Sequence, residues 1–283
     1  MNNRVPIDIK TILINAQRHL QLIIVLGFAI SFVVLSWQLL PNGGLDMRDD
    51  ILPSLHNWRA PWLEGTPLFP WAVLVLMPLR LFTPRAATAL INGLSVLLTA
   101  LVIRNLKGNP LFVIPIMVSP FGNMLFFNGQ TDAIVLASIL LPAGFDLLLF
   151  WKPQVIAQAF WVRVRWRPKT YIISGICILL LSLWIWGLWP IEILHFAQVN
   201  LINGNWNITL WPYSIPIGMG LLYLSIVKND VGFGLMASPL LFPYVNGASY
   251  IGFLAVIASK WPKVFGVVYT IYFIVLIFML SHK

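Results

Sequence analysis

The first long apolar stretch of the chain reads LQLIIVLGFAISFVVLSWQLL at residues 20–40. It contains no charged residue, and it is about twenty residues long, which is the length an α-helix needs to cross the hydrocarbon core of a bilayer. The polar segment before it carries Arg4, Lys10 and Arg18, and no small-residue cleavage site follows it. We therefore expect the stretch to be retained as a signal anchor.

The composition extends this interpretation to the whole chain. Of its 283 residues, 59% are hydrophobic and 10% are charged, and the mean hydropathy is +0.85. Soluble domains carry roughly 25% charged residues, so a water-soluble globule and a disordered chain are both excluded. The single cysteine, Cys177, excludes an intrachain disulfide and a thiolate metal site. A net charge of +9 in such a chain is typical of loops facing acidic lipid headgroups, so nucleic acid is not an expected partner.

Further apolar runs predict an all-α, polytopic transmembrane protein with about 9 to 11 membrane segments. No soluble domain interrupts them, so residues 1–283 form a single integral membrane domain. Runs 131–142 and 231–243 are too short for a straight span of about 20 residues, which predicts short, broken helices around a cavity. The runs occupy residues 20–40, 67–83, 86–103, 110–127, 131–142, 143–162, 171–189, 208–227, 231–243, 246–259 and 264–280.

The basic residues predict an orientation. If the N-terminus is cytoplasmic and every run crosses the membrane, most of the 18 basic residues fall on the cytoplasmic side. Arg80 and Arg85 are then expected inside, whereas Arg104 and Lys107 are expected outside. The protein is accordingly predicted to be a multi-pass protein of the cell membrane with a cytoplasmic N-terminus.

The strongest single marker of the inner side is the sequence RVRWRPK at residues 163–169. Recognition of anionic lipid is a second interpretation of this cluster. The two longest extramembrane segments, residues 41–66 and 190–207, both fall on the predicted outer side. Any chemistry is therefore expected at these two loops.

The first outer loop is acidic. Asp46, Asp49 and Asp50 stand at positions i, i+3 and i+4, so their side chains share one face if this stretch is helical. An ionised carboxylate beside a lipid-facing cavity is suited to act as the general base for a sugar hydroxyl. The alternative is that these residues only cap a helix at its N-terminus.

Apolar residues at helical spacing follow the three aspartates. They predict a short helix lying in the membrane interface, with its aromatic side chains at headgroup depth. The positions concerned are Ile51, Leu55, Trp58 and Trp62.

Lys152 is an unusual residue for its position. It falls in the middle of run 143–162, directly before Pro153, and a lysine at mid-bilayer costs roughly 2.5–3.5 kcal/mol on insertion scales. It should therefore face a partner or a wet cavity. Asp146 points to another side of the same helix, which leaves Asp132 or an anionic ligand as the partner. The alternative is a lysine that snorkels to the interface.

A polar segment, Asn128-Gly129-Gln130-Thr131-Asp132, separates two apolar runs. Gly129 permits a tight break, Gln130 and Asp132 supply groups that satisfy the exposed backbone, and Asp132 is the expected counter-charge of Lys152. The alternative is a simple turn between helices.

The remaining motifs predict neither a metal nor a cofactor. His56 and His195 lie in the outer loops but have no neighbouring ligands at a spacing typical of zinc sites. The sequence also contains no phosphate-binding loop, dinucleotide fingerprint or nucleophile elbow.

Taken in order, several landmarks resemble the integral-membrane GT-C glycosyltransferases, and most closely glycosyltransferase family 87, the polyprenol-phosphate-mannose-dependent mannosyltransferases. The landmarks are Asp46, Asp49 and Asp50 after the first span, Phe69-Pro70-Trp71, Met77-Pro78-Leu79, Asn92, Gly129-Gln130 with Asp132, Lys152-Pro153, Ser238-Pro239 and Tyr244. Relative to that family the chain is shortened, and the family's Asn-Pro-Pro-Trp is reduced to Phe-Pro-Trp.

The resemblance implies transfer of a mannose-like hexose from a polyprenyl-phosphate donor to an outer-face acceptor, with inversion and without a cofactor. It implies Asp50 or Asp49 as the base, with Asp46 third. The residues implied to line the cavity or hold the donor phosphate are Lys152, Gln130, Asp132, Arg48, Arg59 and His56.

Two other functions fit the sequence. The shortening fits a non-catalytic membrane subunit or lipid-binding scaffold related to these enzymes, whose cavity is completed by a membrane partner subunit. A transporter is favoured less, because transporters often have duplicated halves and no internal repeat is evident here.

Overall fold

The computed structural model describes residues 9–63, 69–192, 194 and 207–281. Over these residues the protein is helical with no strand, which confirms the predicted all-α class. Most of the predicted second outer loop, including His195, lies outside the described residues. The α-helices used below are α1 (Ile9–Leu39), α2 (Leu52–His56), α3 (Pro70–Leu76), α4 (Pro84–Asn105), α5 (Val113–Val118), α6 (Pro120–Asn128), α7 (Asp132–Leu136), α8 (Pro153–Trp166), α9 (Pro168–Trp186), α10 (Ile215–Lys228), α11 (Val231–Ala237), α12 (Ile251–Lys260) and α13 (Pro262–Ser281).

Three of these helices are long and apolar enough to cross a membrane: the Asn15–Leu39 part of α1, α4 and α9. Helices α5 and α6 meet at an angle of 78° and together form a broken span or a re-entrant loop. The short runs expected at residues 131–142 and 231–243 are indeed the short helices α7 and α11, each continued by a 3₁₀ turn. The structure thus supports a helical membrane protein, and the number of passes stays a prediction.

Helices α1 and α4 form an antiparallel pair with many contacts, in which α4 is largely buried and α1 is largely exposed. A Cβ on Gly93 would lie 2.4 Å from a Val33 methyl carbon, so glycine allows the two backbones to approach closely. The Asn92 amide donates to the Ser36 hydroxyl (2.8 Å) and to the Phe126 carbonyl (2.9 Å). One buried side chain therefore links α1, α4 and α6.

The chain that connects α1 to α4 begins and ends at the same end of the molecule, where α1 ends and α4 begins. Arg85 donates to the Trp37 carbonyl (2.6 Å), at the C-terminal end of α1, while Arg104 and Lys107 line a cleft with Arg18, at the other end. Run 67–83 therefore does not carry the chain to the other end of the α1–α4 pair, and Arg85 lies at the end opposite Arg18, Arg104 and Lys107, in contrast to the prediction. Pro78 ends the seven-residue helix α3 in a 3₁₀ turn because proline cannot donate to the helical ladder.

Run 143–162 also divides, so the prediction that Lys152 lies within a continuous span is wrong. A 3₁₀ segment, Phe145–Leu149, is followed by Lys152 in a non-helical conformation, and α8 begins at Pro153. Proline suits this first helical position because it has no backbone N–H to satisfy there.

The helix expected in the interface is short and faces the protein. A π-helical turn, Met47–Ile51, continues into α2, which ends at His56. Ile51, Leu55 and Trp62 are buried in the hydrophobic core. These side chains therefore contribute to packing, Trp58 is half-buried, and the depth of the helix in the membrane stays a prediction.

Candidate functional site

Two glycine-containing turns bring the first loop against the break between α6 and α7. A Cβ on Gly44 would lie 2.6 Å from the backbone of Asn128 and Gly129, so only glycine allows this contact. Gly129 ends α6 in the left-handed region (φ +67°), as its place in the sequence predicted. The Gly44 N–H donates to the Thr88 hydroxyl (2.8 Å), which fixes the turn on α4. The contact places Asp46 beside Gln130.

A continuous set of polar contacts runs inward from Asp46. The Gln130 amide donates to the Asp46 carboxylate, and the Lys152 ammonium donates to the Gln130 carbonyl oxygen. The same ammonium donates to Asp132 Oδ2 (2.6 Å), which confirms Asp132 as its counter-charge. Ser249 Oγ donates to the other oxygen of Asp132 (2.7 Å). We call these five residues the polar relay.

The inner end of the polar relay is secured by its neighbours. Asp132 is fully buried, and a buried carboxylate is stable only where its oxygens are paired. Asn246 Oδ1 accepts a hydrogen bond from the Ser249 N–H (3.0 Å), and it lies 2.9 Å from the Ser249 hydroxyl as an alternative acceptor for the single hydroxyl proton. The Trp151 indole donates to the Thr131 hydroxyl (3.3 Å). Because Trp151 precedes Lys152 and Thr131 precedes Asp132, this bond joins the two chain segments that carry the ion pair.

The outer end of the polar relay opens into a cavity of about 340 Å³, which is at the small end of the range for ligand sites. Its lining is largely polar, and the three aspartates share it, as their spacing predicted. Lys152 does not line the cavity, but it contacts the lining residue Gln130. The cavity is lined by Leu45, Asp46, Asp49, Asp50, Met124, Asn128, Gln130, Tyr244, Asn246 and Ala248.

The three carboxylates have different surroundings. Burial raises the pKa of Asp46 to about 6, Lys152 lowers it in part, and the nearby Asp50, Asp132 and Asp49 raise it again. A carboxyl with this pKa exchanges its proton close to neutral pH, as a general base must.

Asp49 faces the solvent. Its side chain is 55% exposed and forms a two-point contact with Arg48, at 2.6 and 2.7 Å. This hydrogen bond lowers the pKa of Asp49 below its usual value. Asp50 is half-buried and lines the cavity. Of the three, Asp46 is the carboxyl that contacts Gln130 and whose pKa is raised toward neutral pH, whereas the resemblance implied Asp50 or Asp49 as the base.

The predicted phosphate contacts are not among the residues that line the cavity. Arg48 pairs with Asp49, and the Arg59 guanidinium lies 5.7 Å from the centre of the Trp58 ring. His56 Nδ1 donates to the Leu52 carbonyl (2.7 Å), one turn back in its own helix. Lys152 and Arg48 each contact a residue of the cavity lining, Gln130 and Asp49 respectively, and each is paired with a carboxylate.

Sequence reasoning missed Asn246 and Ser249. Both lie in Asn246-Gly247-Ala248-Ser249, a short polar segment between two apolar runs, like the segment that contains Gln130. This similarity to the Gln130 segment is the sequence signal that could have indicated Asn246 and Ser249. Asp132, the partner of Ser249, is more than one hundred residues away in the chain, so only the fold shows the contact.

A second buried ion pair lies elsewhere in the structure. Arg163 Nε is 3.0 Å from Asp146 Oδ2, and the same oxygen accepts a hydrogen bond from the Tyr171 hydroxyl (2.6 Å). The Arg163 guanidinium also donates to the carbonyls of Ile139 (2.7 Å) and Leu141 (2.5 Å). The contacts of this pair link α8 to the 3₁₀ segments Ala137–Leu140 and Phe145–Leu149 and to α9, which is a structural role.

Comparison of the chain with protein-family models, curated proteins and solved structures finds no significant match. Over the described residues, no group of three or more His, Cys, Asp or Glu side chains is arranged to hold a metal ion.

Proposed function

We propose that this chain is a membrane glycosyltransferase that transfers a mannose-like hexose from a polyprenyl-phosphate donor to an acceptor hydroxyl on the outer face. The observation that carries the proposal is Asp46. It is a half-buried carboxyl with a pKa of about 6, it faces a small polar cavity, and it is connected through Gln130 to Lys152. Carboxylates and amides are the groups that bind sugar hydroxyls, and Asn128 and Asn246 add two amides to the lining.

The proposed reaction is a single displacement with inversion. Ionised Asp46 removes the proton from the acceptor hydroxyl as its oxygen attacks the anomeric carbon of the sugar. The bond from that carbon to the phosphate oxygen breaks, and the polyprenyl phosphate leaves with the bonding electrons. Since the base must be ionised, the rate is expected to rise with pH through about 6 and then to level off.

Lys152 has a positioning role in this scheme. Asp132 already balances its charge at 2.6 Å, and it holds Gln130 by the amide oxygen. The amide nitrogen of Gln130 is thereby directed at Asp46. The positive charge of Lys152, which is separated from Asp46 by Gln130, also limits the rise in the pKa of Asp46.

The proposed location is the cell membrane, with the N-terminus in the cytoplasm. The fold collects basic side chains at the end of the molecule where α1 begins. Lys260 beside Asp230 belongs to that end, because Ser259 contacts the Ile103 carbonyl at the end of α4. A basic cytoplasmic end and a cavity on the opposite side agree with the positive-inside rule.

The test is an assay of membranes that contain the full chain, supplied with polyprenyl-phosphate-mannose and analysed for mass-shifted product. Asp46→Asn is expected to lower product formation by about 10²–10⁴-fold. Asp49→Asn and Asp50→Asn are assayed separately to decide which carboxylate is the base. Glu192→Gln, an exposed carboxylate that does not line the cavity, is the charge-matched control. Full activity in Asp46→Asn would rule out this mechanism.

One observation favours the second candidate, a non-catalytic membrane subunit or lipid-binding scaffold. Lys152 is already paired with Asp132, and the three basic residues expected to hold the phosphate are not in the cavity lining. A donor phosphate would then depend on a partner subunit. This candidate predicts a stoichiometric partner after purification in mild detergent, together with no turnover by the isolated chain.

A further inference from the structure

A basic cleft lies at the end of the α1–α4 pair that is remote from Asp46. It has a volume of about 410 Å³. Arg18 of α1, Arg104 in the last turn of α4, and Lys107 just beyond that turn all line it. No carboxylate lines the cleft within the part of the chain that the structure describes. Three positive charges therefore face one concave space without a described anion to balance them, which favours binding of an anionic group.

The backbone at Lys107 adds a second argument. Lys107 has φ +66°, a left-handed conformation in which glycine is normally favoured. Glycine is instead used at the next position, where a Cβ on Gly108 would lie 2.5 Å from the Ser259 hydroxyl. The Lys107 and Gly108 N–H groups donate to the Arg104 and Ile103 carbonyls, so the end of α4 is satisfied without the lysine side chain. The chain thus accepts an unfavourable backbone conformation while placing an ammonium group in the cleft.

The position of the cleft identifies the source of the anion. Arg18 lies near the start of the membrane-length segment Asn15–Leu39, and Arg104 lies at the end of Pro84–Asn105. Residues at the ends of such helices lie at headgroup depth. Leu22 lines the same cleft one turn further into the span and is 41% exposed, so apolar surface continues from the basic groups toward the bilayer. This combination fits a lipid phosphate with its acyl chains beside α1.

We propose that this basic cleft binds the phosphate of an anionic membrane phospholipid. The proposal does not depend on the glycosyltransferase function, because the cleft and the cavity lie at opposite ends of α4.

The test measures lipid binding by the full chain, purified in an uncharged detergent, with native mass spectrometry. The probes are phosphatidylglycerol and phosphatidylcholine, and inorganic phosphate is added as a competitor. We expect at least tenfold tighter binding of phosphatidylglycerol than of phosphatidylcholine. The triple variant Arg18→Gln/Arg104→Gln/Lys107→Gln should lose this preference.

A matched triple variant removes the same charge at exposed positions outside the cleft and outside the cluster 163–169. It is Arg80→Gln/Lys228→Gln/Lys263→Gln, and it should keep the preference. Equal losses in both triples would show diffuse surface attraction and overturn the proposal. Competition by millimolar inorganic phosphate as strong as that by lipid would overturn the lipid assignment.

The single variant Lys107→Gly keeps the proposal testable if the triple variant does not fold. Glycine is favoured at this φ, so the variant should be at least as stable as the parent. It should nevertheless bind phosphatidylglycerol several-fold more weakly. Unchanged binding in this variant would exclude Lys107 from the site and overturn the proposal as stated.

Discussion

The two buried aspartate–cation pairs of this protein differ in what lies beyond them. Asp146 and Arg163 are surrounded by backbone carbonyls and the Tyr171 hydroxyl. Asp132 and Lys152 are connected through Gln130 to a carboxylate in a cavity. The same kind of ion pair therefore links helical segments in one place and supports a polar site in the other.

The choice of cation follows from this difference. The guanidinium of arginine has five donors in a fixed plane, and Arg163 uses them to hold several acceptors at once. The ammonium of lysine is a compact charge on a flexible stem, which suits Lys152 between one carboxylate and one amide. The role of a buried charge is thus better inferred from the groups around its partner than from the ion pair alone.

The largest expected effect is at the structural pair. Arg163→Gln removes the ion pair and the contacts to the Ile139 and Leu141 carbonyls, and it leaves Asp146 buried with less compensation. We expect a loss of about 3–5 kcal/mol in the free energy of unfolding. The measurement is unfolding in mixed micelles followed by tryptophan fluorescence. Arg163→Leu/Asp146→Asn, which removes both charges, should recover part of the loss, and no recovery would contradict an ion-pair origin.

The next effect is a pH dependence of stability that originates at Asp46. Its pKa is raised from 3.8 to about 6, so between these values the folded protein holds a proton that the unfolded chain has released. Stability should therefore fall as pH rises through this window, by about 3 kcal/mol in total at 1.36 kcal/mol per pKa unit. Asp46→Asn should be stable to the same degree at pH 4 and pH 7. An unchanged slope in this variant would assign the dependence to another group.

A smaller loss is expected at the polar relay. Lys152→Gln leaves Asp132 with the Ser249 hydroxyl, but the lysine side chain is 19% exposed beside a wet cavity, so screening reduces the cost to about 1–3 kcal/mol. The same variant should raise the pKa of Asp46, because Lys152 lowers it. Infrared titration of the protonated carboxyl band measures that pKa. Lys152→Gln/Asp132→Asn should restore stability, and failure to do so would argue against the pair.

The smallest effect distinguishes the aspartates from one another. Asp50→Asn should lower the pKa of Asp46, because the Asp50 charge raises it, and this shift should be smaller than that in Lys152→Gln. Asp49→Asn should change it least, since Asp49 is exposed and paired with Arg48. The infrared titration again provides the measurement. A larger shift in Asp49→Asn than in Asp50→Asn would contradict the geometry of the cavity.

The pairing of Lys152 with Asp132 could be predicted from the sequence because few groups in an apolar chain can balance a buried charge. The break at Gly129 could be predicted because a polar segment between two apolar runs must leave the helix. These inferences depend on local chemistry, and the structure confirms both.

Other features depend on the tertiary fold. Hydropathy shows that run 67–83 is apolar, but it does not show that its helix is short and ends in a 3₁₀ turn at Pro78. The π-helical turn Met47–Ile51 contains Asp49 and Asp50 but not Asp46, and such a turn has no simple sequence pattern. Ser249 reaches Asp132 only because α12 packs beside α7.

The contact between Gly44 and Gly129 has a consequence for how the protein tolerates change. Asp46 meets Gln130 only while two backbones touch at a point that no side chain could occupy. A methyl group at Gly44 would separate the two halves of the site although every ionisable residue remained in place. The positions most sensitive to mutation therefore include one that has no functional group of its own.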